Sequence, residues 1–197
     1  MCIKHERGDM FYAHFLNSII ICYPQIKCFD MRVGLKGKVF FKLAAWLPAI
    51  IMAVIISSFS GQDSDRSQGL SDRVAGYIID AADAAGIIDA GGENRAAYVE
   101  KMQFPIRKGA HMTEYALFTC TVLFGFYVNG LRSARLYLMA ISVTFIYALS
   151  DEIHQLFVPG RSGQFADVLI DTSGGIIAIL LLMKWRSNEG KNTEKNV

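Results

Sequence analysis

The sequence predicts an all-α protein: an integral membrane bundle of four transmembrane helices with an extracytoplasmic amphipathic helical loop. Three observations predict it. Four separate apolar stretches each approach the roughly 20 helical residues that cross a hydrocarbon core about 30 Å thick. None of them alternates with a period of two, so helices rather than barrel strands are expected to satisfy the backbone in lipid. Lys and Arg are spread unevenly over the connecting segments, which sets an orientation across a membrane. Composition agrees, with 52% of the 197 residues hydrophobic, a mean hydropathy of +0.29 and a formal net charge of +2. So small a charge, with no basic patch interleaved with aromatics, argues against a nucleic-acid partner. The four cysteines, Cys2, Cys22, Cys28 and Cys120, form neither a CxxC pair nor a secreted-type framework, so neither disulfides nor a cysteine-bound zinc is expected.

The predicted elements follow in chain order. Residues 11–23 are apolar but short for a span, carry His14 and Asn17, and lack the small-residue cleavage site of a signal peptide. Met31 is followed at once by Arg32, Lys36 and Lys38, so translation is expected to start at Met31, with residues 1–30 an extension that is not translated. A fifth, short or re-entrant segment is the alternative. The membrane domain then runs over residues 31–185, and residues 186–197 form a basic tail. Its spans are read at residues 40–60, 110–128, 136–157 and 166–183, with Lys42 close enough to the start of the first to snorkel towards water.

Between the first two spans, Leu70, Val74, Tyr77, Ile78, Ala81 and Ala85 recur at helical spacing among Ser, Asp and Arg. This is the pattern of an amphipathic helix lying on the membrane surface or capping the bundle. Gly91-Gly92 breaks it, a short second helix is expected through Tyr98 and Met102, and Pro105 is placed just ahead of the second span. Basic residues gather before the first span, in the second loop (Arg132, Arg135) and in the tail (Lys184, Arg186, Lys191, Lys195), whereas the third loop holds only Arg161. Both termini are therefore expected in the cytoplasm, with the first and third loops outside.

Polar residues collect at the outer ends of these spans. The second opens with Arg107, Lys108, His111, Glu114 and Tyr115, whose spacing of three and four places the last four of them on one face. The third closes with Ser150, Asp151, Glu152, His154 and Gln155, and there Asp151, His154 and Gln155 share a face. The fourth opens with Asp167 and Asp171 one turn apart, continued by Gly174 and Gly175. The turn Val158-Pro159-Gly160-Arg161 makes the third and fourth helices neighbours, and Gln62 follows the first span at the same level. Ionisable side chains near the centre of a span cost about 2.5–3.5 kcal/mol each on insertion scales, so their convergence from several elements marks a functional site.

Each residue alone has a plainer reading. Ser, Gln and His hold membrane helices together for about 0.6 kcal/mol per contact, Gly174-Gly175 permits close packing, and Arg161 could pair with Asp167 or Glu152. Taken together, His111, Glu114, Asp151 and His154 are the candidates for acid–base work, a carboxylate and a histidine on facing helices forming such a pair. Gln62, Arg107, Lys108, Tyr115, Glu152, Gln155, Arg161, Asp167 and Asp171 are the candidates for ligand binding, the cations suiting a phosphate or carboxylate head. No metal signature such as HExxH, no nucleophile elbow, no P-loop and no dinucleotide fingerprint occurs, so neither a metal nor a cofactor is expected.

The same residues carry a family resemblance. Phe59-Ser60-Gly61-Gln62 through Ser71, Arg107-Lys108-Gly109-Ala110-His111 to Glu114-Tyr115, Ser150-Asp151-Glu152-Ile153-His154-Gln155, and Val158-Pro159-Gly160-Arg161 through Asp167 and Asp171 to Gly174 resemble the VanZ-like family in order and spacing, over roughly residues 39–183. The resemblance implies a small multi-pass bacterial membrane protein with a link to low-level resistance against teicoplanin and related lipophilic glycopeptides. It implies no established reaction or cofactor. Three functions are open at this point. The first is binding or remodelling an amphiphilic ligand at the outer face, whether a membrane lipid, a lipid-linked cell-wall precursor or a lipoglycopeptide. The second is a membrane-embedded hydrolase or transferase, and the third is a structural role for the polar residues alone.

Overall fold

The computed structural model describes residues 35–62, 64–91 and 94–195, and every regular element among them is a helix. These are α1 (Leu35–Ala44), α2 (Leu47–Ser60), α3 (Ser64–Ala84), α4 (Asn94–Val128), α5 (Ser133–Gln155) and α6 (Phe165–Lys195). The extension 1–30 and the start at Met31 lie outside the described residues. The chain divides into a larger unit, Trp46–Ala178, and a smaller one made of the described residues of Met1–Ala45 and Ile179–Val197. The smaller unit holds α1 and the C-terminal part of α6, which continues as helix through most of the stretch expected to be a tail.

Three stretches are long and apolar enough to cross a membrane: Gly37–Ser60, Ser133–Gln155 and Phe165–Trp185. They coincide with the first, third and fourth spans read from the sequence. The second, residues 110–128, is not one of the three, because His111 and Glu114 in its opening turns dilute the apolar run of Leu117, Phe118, Val122 and Leu123. In the larger unit the outward faces are apolar: Ile50, Ile51 and Val54 on α2, Leu138 and Ile146 on α5, and Leu169 and Ile176 on α6 are all exposed. Such faces are unfavourable against water and are solvated by lipid chains.

The structure corrects the reading around Pro105. The short helix through Tyr98 and Met102 and the second span are one 35-residue helix, α4, with Pro105 inside it. Proline lacks the N–H that would reach the Lys101 carbonyl, a loss worth about 3 kcal/mol or more. Packing of α3 along α4 holds both sides of the interruption in one helix.

The amphipathic helix is present as α3, and the face it packs inward is distinct from its stripe of large apolar residues. Ser71, Ala75 and Ile79 are buried, whereas Leu70, Val74, Tyr77 and Ile78 remain exposed. Small residues at a spacing of four let α3 approach α4 closely, and the larger apolar side chains stay on the outer surface. At its far end Asp80 and Arg95 clamp α3 to the start of α4 with two parallel bonds, Nε to Oδ1 at 2.8 Å and Nη2 to Oδ2 at 2.9 Å.

The Arg95 guanidinium holds the Asp80 carboxyl below its usual range. A depressed folded-state pKa contributes stability that is present above the ordinary carboxylate value and is lost as pH falls through the lowered one. Both groups are solvent-exposed, so the effect is small and screened by salt. Wild type should melt slightly above Asp80→Asn at neutral pH in detergent, and the two should converge on acidification or in high salt. A gap that persists in acid would show that the clamp is not ionic.

The core of the larger unit lies where α2, α4, α5 and the first part of α6 meet. Ile56, Tyr115, Val122 and Val168 are almost fully buried. The hydroxyls of Thr119 on α4 and Thr144 on α5 lie 2.8 Å apart in hydrogen-bond contact, and each can also donate within its own helix, Thr119 to the Tyr115 carbonyl and Thr144 to the Ala140 carbonyl. Trp46 packs edge-on against Phe126, and its ring lies 2.9 Å from where a Cβ on Gly125 would be. Gly174 and Gly175 bring α6 against α4: a Cβ on the first would strike the Met112 carbonyl, and one on the second would strike the Thr119 hydroxyl.

Candidate functional site

The site is built where α2 ends, α4 passes its Pro105 turn, and α5 turns into α6. The turn itself is tight. The Arg161 N–H donates to the Val158 carbonyl at 3.2 Å, and Gly160 takes a φ of 72°, a backbone state that suits glycine. Glu152, buried at the end of α5, reaches across the turn and accepts a hydrogen bond from the Gln164 N–H at 2.8 Å, just before α6 begins. A carboxylate at a helix N-terminus satisfies a donor that the helix itself cannot. Glu152 therefore ties the end of α5 to the start of α6.

Helix α4 splits its polar residues between two directions. Lys108 and Tyr115, two turns apart, point inward: Lys108 Nζ lies 2.5 Å from Asp167 Oδ1 on α6, and Tyr115 is completely buried. Arg107, His111 and Glu114 instead face a pocket of about 210 Å³, which Gln62 and Arg161 also line. Its apolar wall is supplied by Phe59 from α2, Leu70 and Val74 from α3, and Ile106 from α4. These four were not among the candidates from sequence. The periodicity of Leu70 and Val74 was visible there, but nothing local indicates that they turn towards Arg107.

Two guanidinium groups meet at this pocket. Arg161 Nε donates to the Gln62 carbonyl at 3.1 Å, tying the α5–α6 turn to the end of α2. Among the described residues neither Arg161 nor Arg107 makes an ion pair. Burial first, and then the neighbouring positive charge of Arg107, pull the Arg161 guanidinium below its ordinary pKa. The ordinary value is so high that the group stays a cation at neutral pH. Across the pocket, His111 Nδ1 lies 3.8 Å from Glu114 Oε2, too far for a hydrogen bond.

Behind the pocket lies a buried polar layer. Asp151 and Asp171 are each 3% exposed, and Ser60 is fully buried. Gln155 Nε2 donates to Ser60 Oγ at 2.8 Å, joining α5 to α2, while the Tyr147 hydroxyl shares a 2.8 Å bond with Ser57 and reaches the Ala53 carbonyl at 2.6 Å. Asp151 is flanked by Ser60, Gln155 and Tyr115, yet neither of its carboxylate oxygens, nor the Tyr115 hydroxyl, has a hydrogen-bond partner of good geometry. Asp171 shares this layer with Asp151, Glu152 and Asp167.

His154 stands apart. The sequence spacing places it with Asp151 and Gln155, but the structure buries Asp151, Glu152 and Gln155 and leaves His154 exposed at the rim, near Gly61. Among the described residues no group of three His, Cys, Asp or Glu side chains has the arrangement of a metal site. What the arrangement can do is receive an anion at two cations that make no ion pair among the described residues, with a carboxylate and an imidazole alongside and an apolar wall next to them.

Apolar helices that enclose buried carboxylates, with a cation-lined pocket where three of them end or turn, define a helical membrane protein with a polar recess. This chain belongs to the VanZ/LLP1 family, whose model matches residues 40–186. No curated protein and no solved structure gives a significant match to it.

Proposed function

We propose that this protein binds an amphiphilic ligand at the outer face of the bacterial cell membrane, with the acidic part of the ligand's head on Arg107 and Arg161. One observation carries the reading: two guanidinium groups, neither in an ion pair among the described residues, converge from α4 and the α5–α6 turn on a pocket whose other wall is apolar. Holding two like charges together in a partly dehydrated place is unfavourable until an anion arrives, and bidentate donation to phosphate or carboxylate then supplies charge-assisted hydrogen bonds. Lys108, already paired with Asp167, is left out of this set. The ligand class comprises membrane lipids, lipid-linked cell-wall precursors and lipophilic glycopeptides, with low-level teicoplanin resistance as the accompanying role in this reading.

In this reading α4 crosses the membrane from about Ala110, making four spans, and both termini are cytoplasmic. Arg132 and Arg135 then lie at the inner end of α4 and α5, and the pocket lies at the outer end. A hydrolase or transferase is less well supported, because His111 and Glu114 are not hydrogen-bonded to one another and His154 lies outside the pocket.

The test is teicoplanin susceptibility of a sensitive Gram-positive host carrying wild type or the Arg107→Gln/Arg161→Gln double variant at matched membrane levels. Wild type should protect and the double variant should lose at least nine-tenths of that protection, since two charge-assisted contacts are worth about 1.5–3 kcal/mol each. Equal protection by both would remove the arginines from the site.

A further inference from the structure

The charges around the pocket do not match a purely anionic head. Among the described residues Arg107 and Arg161 make no ion pair, but Glu114 also lines the same space, with the His111 imidazole 3.8 Å from it. The Glu114 side chain is 24% exposed, so its carboxylate looks into the pocket rather than into the helix packing. Lys108 cannot neutralise it, being held by Asp167 at 2.5 Å. A ligand carrying only phosphate would leave this carboxylate dehydrated with no partner, and would set two negative groups side by side.

The size of the space narrows the ligand further. About 210 Å³ is smaller than the ~300–1,000 Å³ of sites that take whole drug-sized ligands, so it admits a head and not a complete amphiphile. Phe59, Leu70 and Val74, all exposed, continue from the pocket as an apolar surface on which acyl chains can lie.

Resting on the amphiphile-binding reading above, we propose that the head this pocket selects is zwitterionic: a phosphate on Arg107 and Arg161 joined by a short linker to a primary ammonium on Glu114. A primary ammonium is preferred over a quaternary one because only the former has N–H donors for the carboxylate. The corresponding lipid class is a phosphoethanolamine-headed diacyl lipid. Gln62, which also lines the pocket, offers neutral polar groups to the linker region.

The experiment uses the full chain purified in detergent, titrated with phosphatidylethanolamine, phosphatidylglycerol and phosphatidylcholine of identical acyl chains, with binding read by native mass spectrometry. Wild type should bind the ethanolamine lipid about tenfold or more tightly than either other lipid, the range that follows from leaving a dehydrated carboxylate unpaired. Glu114→Gln should erase the preference over phosphatidylglycerol while keeping affinity for it. Free phosphoethanolamine in excess should compete if the head alone is recognised, and failure to compete would assign part of the affinity to the acyl chains on the apolar wall. The rank order of the three lipids on wild type is decisive even where the variant folds poorly. If wild type prefers no lipid among them, yet Arg107→Gln/Arg161→Gln loses all binding, the zwitterion inference falls while the anion-binding site stands. If the double arginine variant binds all three as wild type does, the site itself falls.

Discussion

Gly174→Ala should destabilise this protein by about 3 kcal/mol and sharply reduce the amount of folded protein recovered from membranes. The added Cβ would collide with the Met112 carbonyl, a backbone atom that can move only if α4 and α6 separate. Separation would break more than one contact. Lys108 and Asp167 span the same two helices at 2.5 Å, and Gly175 next along packs against Thr119, which bonds Thr144 in the core. Membrane helices gain little from hydrophobic exclusion because lipid is as apolar as their own side chains, so close backbone approach carries much of their association. Gly109→Ala is the matched control. Gly109 also lies in α4, but no atom stands within 4 Å of its would-be Cβ, and alanine there should stabilise by about 0.5–1 kcal/mol through helix propensity. Thermal melting in detergent distinguishes the two, and equal behaviour of both variants would mean that α6 does not seat on α4 at Gly174.

The second large effect is expected at Asp151, where stability and function should move in opposite directions. Its carboxylate is buried among Ser60, Gln155 and Tyr115 with both oxygens unpartnered. A buried polar group left unsatisfied costs about 1–3 kcal/mol, and a charged one more. Asp151→Asn keeps the shape and supplies N–H donors towards the Tyr115 and Ser60 hydroxyls. Its melting temperature should equal or exceed that of wild type, by an amount corresponding to about 1 kcal/mol. Under the function proposed above, teicoplanin protection should nevertheless be lost, because intramembrane ionisable residues mark functional sites by default. Gln155→Leu is the contrasting variant: it removes the 2.8 Å bond to Ser60 and should lower the melting temperature modestly, near the 0.6 kcal/mol typical of such membrane contacts. Should Asp151→Asn melt well below wild type, with protection falling only in step with protein level, Asp151 is a structural residue.

These two predictions draw on different amounts of the sequence. The apolar stretches of α2, α5 and α6 were legible as spans because twenty or so apolar residues without charge have few other stable arrangements. The hairpin between α5 and α6 was legible from Val158-Pro159-Gly160, where the φ of 72° at Gly160 confirms the turn chemistry. Pro105 misled because its local effect is real but bounded, and α3 packed along α4 outweighs one missing hydrogen bond. In α3 the large apolar residues drew attention to one stripe, while the helix buried the small residues Ser71 and Ala75 beside it.

The candidate site shows the same division. Spacing of three and four identified the polar residues of α4 and α5 as groups, and all but His154 lie in the pocket, in the layer behind it or in the turn that closes it. Spacing gives an angle around one helix axis and says nothing of where the neighbouring helices stand. That is why it set Lys108 with His111 and Glu114, when α6 takes Lys108 through Asp167 and leaves Arg107 to the pocket. It is also why His154 was grouped with Asp151, although the helix turns Glu152 inward to the Gln164 N–H and His154 outward.

By itself, then, the amino-acid sequence determined the helical class, the three strongest spans, the residues that bear charge and the family to which the chain belongs, since all of these follow from local composition and order. Only the tertiary structure decided which charges are spent on holding helices together and which remain unpaired around the pocket. Pairing depends on distances between residues such as Lys108 and Asp167 or Arg161 and Gln62, far apart in the chain, and those distances exist only once the helices have packed.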